Sequence, residues 1–310
     1  MILFDIEAYK YTTWHFPDDY EGKVTATFIE RHSEQPSRKA VLYIHGYLDY
    51  FFQDHMAECI VVASWNFYAV DLRKYGRSYL EGQHYNYCRH LSEYYPEIDK
   101  ALESIKEQGN TDITLIGHST GGLLSALYCA EGKYRTTINR LILNSPFLEF
   151  NASWFDRRIV VPLVSIISSI FPYASIKNKL NDNYFRSVHI SEYGEWNFDL
   201  RHKPRTVPLY FSWLRAVGEG HRKIRQGLHL TIPVLVLCSQ YSSNDKKWSD
   251  RAMKSDTVLN VEDIKRLTTK LGDRAECRII EDGLHDLVLS RKEVRERVLG
   301  MMISFMNTCE

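Results

Sequence analysis

Between Asp112 and Glu131 the chain reads DITLIGHSTGGLLSALYCAE, and few folds accommodate that stretch. A short β-rich run ends at Gly117, and a run of helical composition begins at Gly121. Passing from strand to helix over so few residues demands a sharp corner, whose flanking residues must lack bulk. Glycines at 117, 121 and 122 meet that demand. Ser119 then stands at the apex, at a helix N-terminus where amide dipoles favour negative charge. A glycine turn that binds phosphate, or a plain strand–helix connection, is the alternative for the same residues.

The rest of the chain repeats the theme. Val24–Arg31, Ala40–Ile44, Phe67–Asp71, Arg140–Asn144, Pro233–Cys238 and Ala275–Glu281 read as strands. Gln53–Ala63, Leu91–Gln108, Val261–Leu271 and Lys292–Met306 have helical spacing. Short apolar strands each followed by a helix predict an α/β fold with a mostly parallel central sheet, flanked by helices on both faces. The first two strands have no helix between them and are expected to add an antiparallel edge. Residues 151–230 interrupt the alternation with aromatics such as Trp154, Phe155, Tyr184, Trp196 and Trp213. They are expected to form a helical cap inserted between a first core part, 1–150, and a second, 231–310. This segment carries twelve Lys or Arg against six Asp or Glu.

Thirty-nine basic residues balance thirty-nine acidic ones, which argues against nucleic acid as a partner. The longest apolar run, Ile159–Phe171, is interrupted by Pro162 and three serines, and falls short of the roughly 20 residues a membrane span needs. The first residues, MILFDIEAYK, lack the charged-then-apolar pattern of a secretory leader. Six scattered cysteines (Cys59, Cys88, Cys129, Cys238, Cys277 and Cys309) suggest neither a disulfide framework nor a zinc site. The expectation is a cytoplasmic protein with reduced thiols.

A serine hydroxyl becomes a competent nucleophile when a base accepts its proton. Sheets built around such a corner present an acid and then a base after later strands. Of twelve histidines, His285 stands where the base belongs, in the turn after the last strand and before the final helix. His118, beside the serine on a sharp corner, should point away from it and is read as structural. The acid should follow Pro233–Cys238, where Asp245, Asp250, Asp256 and Asp263 compete. Asp256 is preferred because it lies just before a helix; Asp245 is second, and the stretch 240–255 would be an extra surface loop. Backbone amides of Thr120, after the serine, and Tyr47, after His45-Gly46, are the expected oxyanion donors.

Together, VLYIHGY, NFYAVDLRKYGRS, ITLIGHSTGG, LILNSPF, IPVLVLC, SDTVLNVEDI and EDGLHDLVLS resemble the α/β-hydrolase superfamily. More narrowly, they look like its serine aminopeptidase, lysophospholipase and monoacylglycerol lipase branch. The resemblance implies Ser119, Asp256 and His285 as catalytic residues. Asp256–Asn260 corresponds to that branch's acidic run, and the oxyanion donors are Tyr47 and Thr120. It also implies a serine esterase acting on an acyl glycerol, a lysophospholipid or a small acyl ester, with no metal or organic cofactor. Activity is expected to rise as His285 deprotonates. An aminopeptidase would want a cap acid for the substrate ammonium, with Glu192, Glu195 and Asp199 available. An acyltransferase would share the acyl-enzyme, and a non-catalytic binding module would lack one of these residues. The cap's apolar segment from Trp154 to Phe171 suggests transient contact with a lipid surface. The chain departs from the branch where Tyr47 and Leu48 replace a small residue and a second glycine, and where DLRKYGRS replaces a DLRGxGRS-like loop.

Overall fold

A computed structural model describes residues 8–153, 155–178 and 182–308. Trp154, Cys309 and the first seven residues lie outside them, as does the side chain of Arg158. In chain order the elements are β1 (Lys10–Asp19), β2 (Gly22–Arg31), β3 (Lys39–Ile44), α1 (Asp54–Val62), β4 (Asn66–Asp71) and α2 (Tyr95–Glu107). Then come β5 (Asp112–His118), α3 (Thr120–Glu131), β6 (Arg140–Asn144), α4 (Val161–Ile170), β7 (Ser175–Ile176) and α5 (Asp182–Val188). The last are β8 (Leu209–Tyr210), α6 (Phe211–Gln226), β9 (Val234–Ser239), α7 (Val261–Thr268), β10 (Ala275–Ile280) and α8 (Lys292–Thr308).

Eight strands form one sheet in the order β1-β2-β4-β3-β5-β6-β9-β10. From β4 to β10 every pairing is parallel, as expected. The central strands read as continuous apolar runs because both their faces are covered. Along β3, Ala40, Leu42 and Ile44 enter one core, while Val41 and Tyr43 enter the other. The first core is closed by α2, α3, α6 and α7, and the second by α1 and α8. Pairing of Ile44 with Gly117 and of His118 with Asn144 aligns β3, β5 and β6 at their carboxyl ends, so Ser119 emerges at that edge. Open α/β sheets bind ligands outside this edge.

The antiparallel edge exists and contains the expected strand Val24–Arg31, as β2, but not Ala40–Ile44, which is β3. β1 pairs with β2, and β2 with β4, both antiparallel, while β3 lies inside the parallel region. β1 gave no clear signal because it is an edge strand with most residues exposed or half-exposed, so its apolar pattern is thin.

Between β6 and β9 the chain leaves the sheet through α4, a two-stranded ribbon β7–β8, and α5. It returns through α6, whose Trp213, Ala216, Val217 and Ile224 pack into the first core beside α3. No helix among the described residues is long and apolar enough to cross a membrane.

Candidate active site

Ser119 has φ +52° and ψ −116°, a conformation that costs a non-glycine residue roughly 1–3 kcal/mol. The surroundings hold it there. Its N–H donates to the Asn144 carbonyl at 3.0 Å, and its own carbonyl accepts from Leu123 and Phe147 at 3.1 and 2.9 Å. Helix α3 begins one residue later and passes so close to β3 that a Cβ at Gly121 would collide with the Ile44 and His45 carbonyls. The glycines thus serve close packing under the corner, as the sequence suggested.

His285 reaches the same edge from the turn after β10. Its Nε2 lies 3.0 Å from Ser119 Oγ, and its Nδ1 lies 2.9 Å from Asp256 Oδ2. Asp256 is fully buried, and its other carboxylate oxygen accepts the Val258 and Leu259 N–H groups, each at 2.8 Å. The structure therefore brings Ser119, His285 and Asp256 into one hydrogen-bonded chain. Backbone bonds from Ser243 N to the Asp256 carbonyl (2.8 Å) and from Asp256 N to the Tyr241 carbonyl (2.9 Å) return the long loop to the end of β9. The intervening residues make an excursion that includes a 3-10 turn at Asp250–Lys254. Asp245 instead accepts from Ser249 Oγ at 3.2 Å, and Asp263 pairs with Arg157 and Arg266. Asp250 is exposed.

The amide of Thr120, the first residue of α3, has no acceptor within the helix by helical geometry. No backbone acceptor among the described residues takes the Tyr47 N–H. A Cβ at Gly46 would lie 3.0 Å from His118 Nδ1 and 3.2 Å from the Ser119 Cβ, so a larger residue there would have to push against the corner. The Tyr47 ring leans on Trp213 of α6, with centroids 4.4 Å apart. Both departures from the branch pattern fall on left-handed backbone, where glycine is the unstrained choice: Leu48 has φ +51° and Lys74 φ +63°. Lys74 is fully buried, and its ammonium lies 2.9 Å from Asp19 and 2.7 Å from Glu21, which ties this loop to the β1–β2 hairpin.

Above Ser119 opens a cavity of about 1110 Å³, whose walls include Phe147, Phe150, Ile176, Phe185, Val188, Leu209, Trp213 and Leu214. Cavities that take drug-sized ligands run from about 300 to 1,000 Å³. Tyr184 of α5 meets the His285 ring edge-on, with centroids 5.3 Å apart.

His118, read from the sequence as structural, faces two buried carboxylates. Its Nδ1 lies 3.5 Å from Asp49 and 3.9 Å from Asp286. Lys203 closes on Asp49 at 2.5 Å. Burial pushes the His118 pKa down, but Asp286 and Asp49 outweigh it and lift it above the ordinary histidine value. Burial pushes Asp49 up, and Lys203 and His118 outweigh that, holding it well below the usual carboxylate range. Sequence reasoning missed Asp49, Asp286 and Lys203. The first two adjoin residues it had singled out; nothing in the spacing marks Lys203.

A family model described as serine aminopeptidase, S33, matches residues 35–291. A probable lysophospholipase L2 of Haemophilus influenzae is 23% identical, over 94% of this chain and 92% of its own. Among solved structures, a soluble variant of the Saccharomyces cerevisiae monoglyceride lipase, in complex with a substrate analog, is similar with TM-score 0.69 and 16% identity. That match covers 95% of this chain and 94% of that one. The Paleococcus ferrophilus monoacylglycerol lipase follows at TM-score 0.67 and 16% identity, over 97% of this chain and all of its own.

Proposed function

The chain belongs to the serine aminopeptidase S33 family, an α/β-hydrolase family, and from that premise we propose that it cleaves carboxylic esters of apolar acyl chains through an acyl-enzyme on Ser119. One observation carries the reading: an unbroken hydroxyl–imidazole–carboxylate chain, at 3.0 and 2.9 Å, beneath a large apolar cavity. His285 takes the Ser119 proton as Oγ attacks the ester carbonyl, while Asp256 holds the imidazole tautomer and stabilises the imidazolium. The Tyr47 and Thr120 amides receive the oxyanion. The protonated His285 then gives its proton to the departing alkoxide. Water attacks the acyl-enzyme with the same histidine as base, and Ser119 is regenerated. No step needs a metal or an organic cofactor. The names of the lipase and lysophospholipase relatives support an acyl glycerol or lysophospholipid as substrate.

In this reading residues 151–230 are the cap between core parts 1–150 and 231–310. Phe155, Leu163, Ile166, Ile170 and Phe171 are exposed on it, Ile170 at 69%. Ile176, five residues after Phe171, is also exposed and lines the cavity. These exposed apolar side chains support transient docking on a lipid surface.

An aminopeptidase would need a free acid in the cavity. Glu192 pairs with Arg186, Glu195 with Arg295 and Asp199 with Arg201, and none of the three lines the cavity; Asp182, which does, is paired with Arg205. The test is fluorophosphonate labelling followed by p-nitrophenyl esters of rising chain length and aminoacyl p-nitroanilides, with Ser119→Ala as control. Labelling lost in Ser119→Ala and turnover rising with chain length are expected. Labelling that survives the substitution overturns the nucleophile, and preference for the anilides overturns the substrate class. Added alcohols would divert the product to new esters if the protein is an acyltransferase. Vesicle co-sedimentation should weaken in Ile166→Asp/Ile170→Asp; undiminished sedimentation refutes the docking face.

A further inference from the structure

The groups proposed for catalysis come from four separate loops, and three of these place one neighbouring side chain in the same buried cluster. Asp49 lies two residues after Tyr47, His118 directly before Ser119, and Asp286 directly after His285. All three are at most 3% exposed. Their facing atoms (Asp49 Oδ2, His118 Nδ1 and Asp286 Oδ2) lie within 4.8 Å of one another. Asp286 also accepts from Asn144 at 2.7 Å and Gln53 at 3.3 Å, which fixes the carboxylate in place. Other ionisable neighbours are His45 and Tyr43 on the β3 side, Tyr184 from α5, and His285 itself, whose ring is 5.1 Å from that of His118.

The fourth member is not part of the core. Lys203 comes from the excursion between β6 and β9, in a segment anchored to the core by Asp199 N–H to Tyr50 Oη (3.0 Å) and Tyr85 Oη–H to the His202 carbonyl (2.6 Å). Its ammonium lies over the Phe52 and Phe198 rings, 5.4 and 5.5 Å from their centroids, and the residue also lines the substrate cavity. Its ammonium neutralises one of two buried carboxylates. The remaining negative charge is balanced only when His118 is protonated, and burial without such balance is costly.

We propose that Lys203 is a positioning residue: through Asp49, His118 and Asp286 it holds the oxyanion loop, the Ser119 corner and the His285 loop in one register. Seating of this cap segment is then a condition of catalytic geometry, beyond its part in walling the pocket. The inference rests on the acyl-enzyme reading above. A misplacement of about 1 Å in such a site costs on the order of a hundredfold in rate.

Three variants test it: Lys203→Met, Lys203→Arg and Asp49→Asn/Lys203→Met. They are compared by kcat and KM on a short p-nitrophenyl ester, by the fluorophosphonate labelling rate of Ser119, and by urea unfolding. Lys203→Met should lose about tenfold or more in kcat and in labelling rate, with KM moving less than about threefold, because the short ester makes little use of the cavity wall. Lys203→Arg should recover much of the loss. The double variant removes both charges of the pair, so unfolding should return towards wild type while kcat stays low. That split separates positioning from a structural role. In Lys203→Met the His118 ring signals should titrate at higher pH than in wild type, because a nearby positive charge is gone. Should Lys203→Met misfold, the Arg and double variants carry the test. The proposal is overturned if the double variant regains kcat to within about twofold of wild type, or if His118 does not shift in folded Lys203→Met. Failure of wild type to label at Ser119 would instead overturn the acyl-enzyme reading itself.

Discussion

Replacing Asp256 by asparagine perturbs one proton and almost no volume. The carboxylate has three described partners: the Val258 and Leu259 N–H groups on one oxygen and His285 Nδ1 on the other. The asparagine carbonyl keeps the two backbone donors, which leaves its NH2 facing Nδ1. The imidazole must then accept at Nδ1 and carry its proton on Nε2, 3.0 Å from Ser119 Oγ. In that tautomer it cannot take the serine proton. The same substitution in a serine-protease triad costs about 10⁴ in kcat, which is about 5 kcal/mol of transition-state stabilisation. The fold should barely notice, because the backbone donors remain satisfied. Steady-state kinetics on a p-nitrophenyl ester, with urea unfolding as a check on the fold, make the assay. Asp245→Asn is the matched control and should change kcat by less than about threefold, since Asp245 holds the loop through Ser249. A folded Asp256→Asn retaining a tenth of wild-type kcat, or a large loss in Asp245→Asn, would refute the tautomer argument.

Gly121→Ala should destabilise by about 1–3 kcal/mol, since its Cβ would press on the backbone of Ile44 and His45; an unchanged urea midpoint would contradict the packing described. Leu42→Ala, in a strand buried on both faces, should cost about 2–5 kcal/mol by the same measurement, and a loss below about 1 kcal/mol would mean that the core collapses around the gap. His221 is buried and His55 half-buried, each hydrogen-bonded to a carbonyl (Phe147 and Val288), and desolvation lowers their pKa values to about 3 and about 4. Below about pH 6.5 the unfolded chain binds protons that these two refuse in the fold. Stability should therefore fall as pH drops from about 6.5 towards 4, by up to about 2.7 kcal/mol per pH unit for two protons. His55→Asn and His221→Asn should each flatten that slope by about one proton's worth in urea titrations, and an unaltered slope in both would refute the assignment.

Much of this was legible in order along the chain. Strands such as LYI, TLI and LIL announce themselves because both faces of a central parallel strand are covered, so every position is apolar. The corner at Ser119 announces itself because close packing excludes side chains at Gly117 and Gly121. β1 was missed because an edge strand meets solvent and has no such constraint. The long loop before Asp256 obscured the acid, because the Ser242–Asp256 bridge that shortens it in space pairs residues fourteen apart.

What the sequence determined by itself was the set of local demands: which runs must be buried on two sides, where the backbone must turn sharply, and which serine stands on that turn. Those are properties of neighbours along the chain, and composition and period record them. The tertiary structure alone decided that left-handed Leu48 and Lys74 do the work of glycines, and that Lys203, from the excursion between β6 and β9, meets Asp49. Charges buried together must balance one another across loops far apart in sequence, and no local pattern records where a distant partner will arrive.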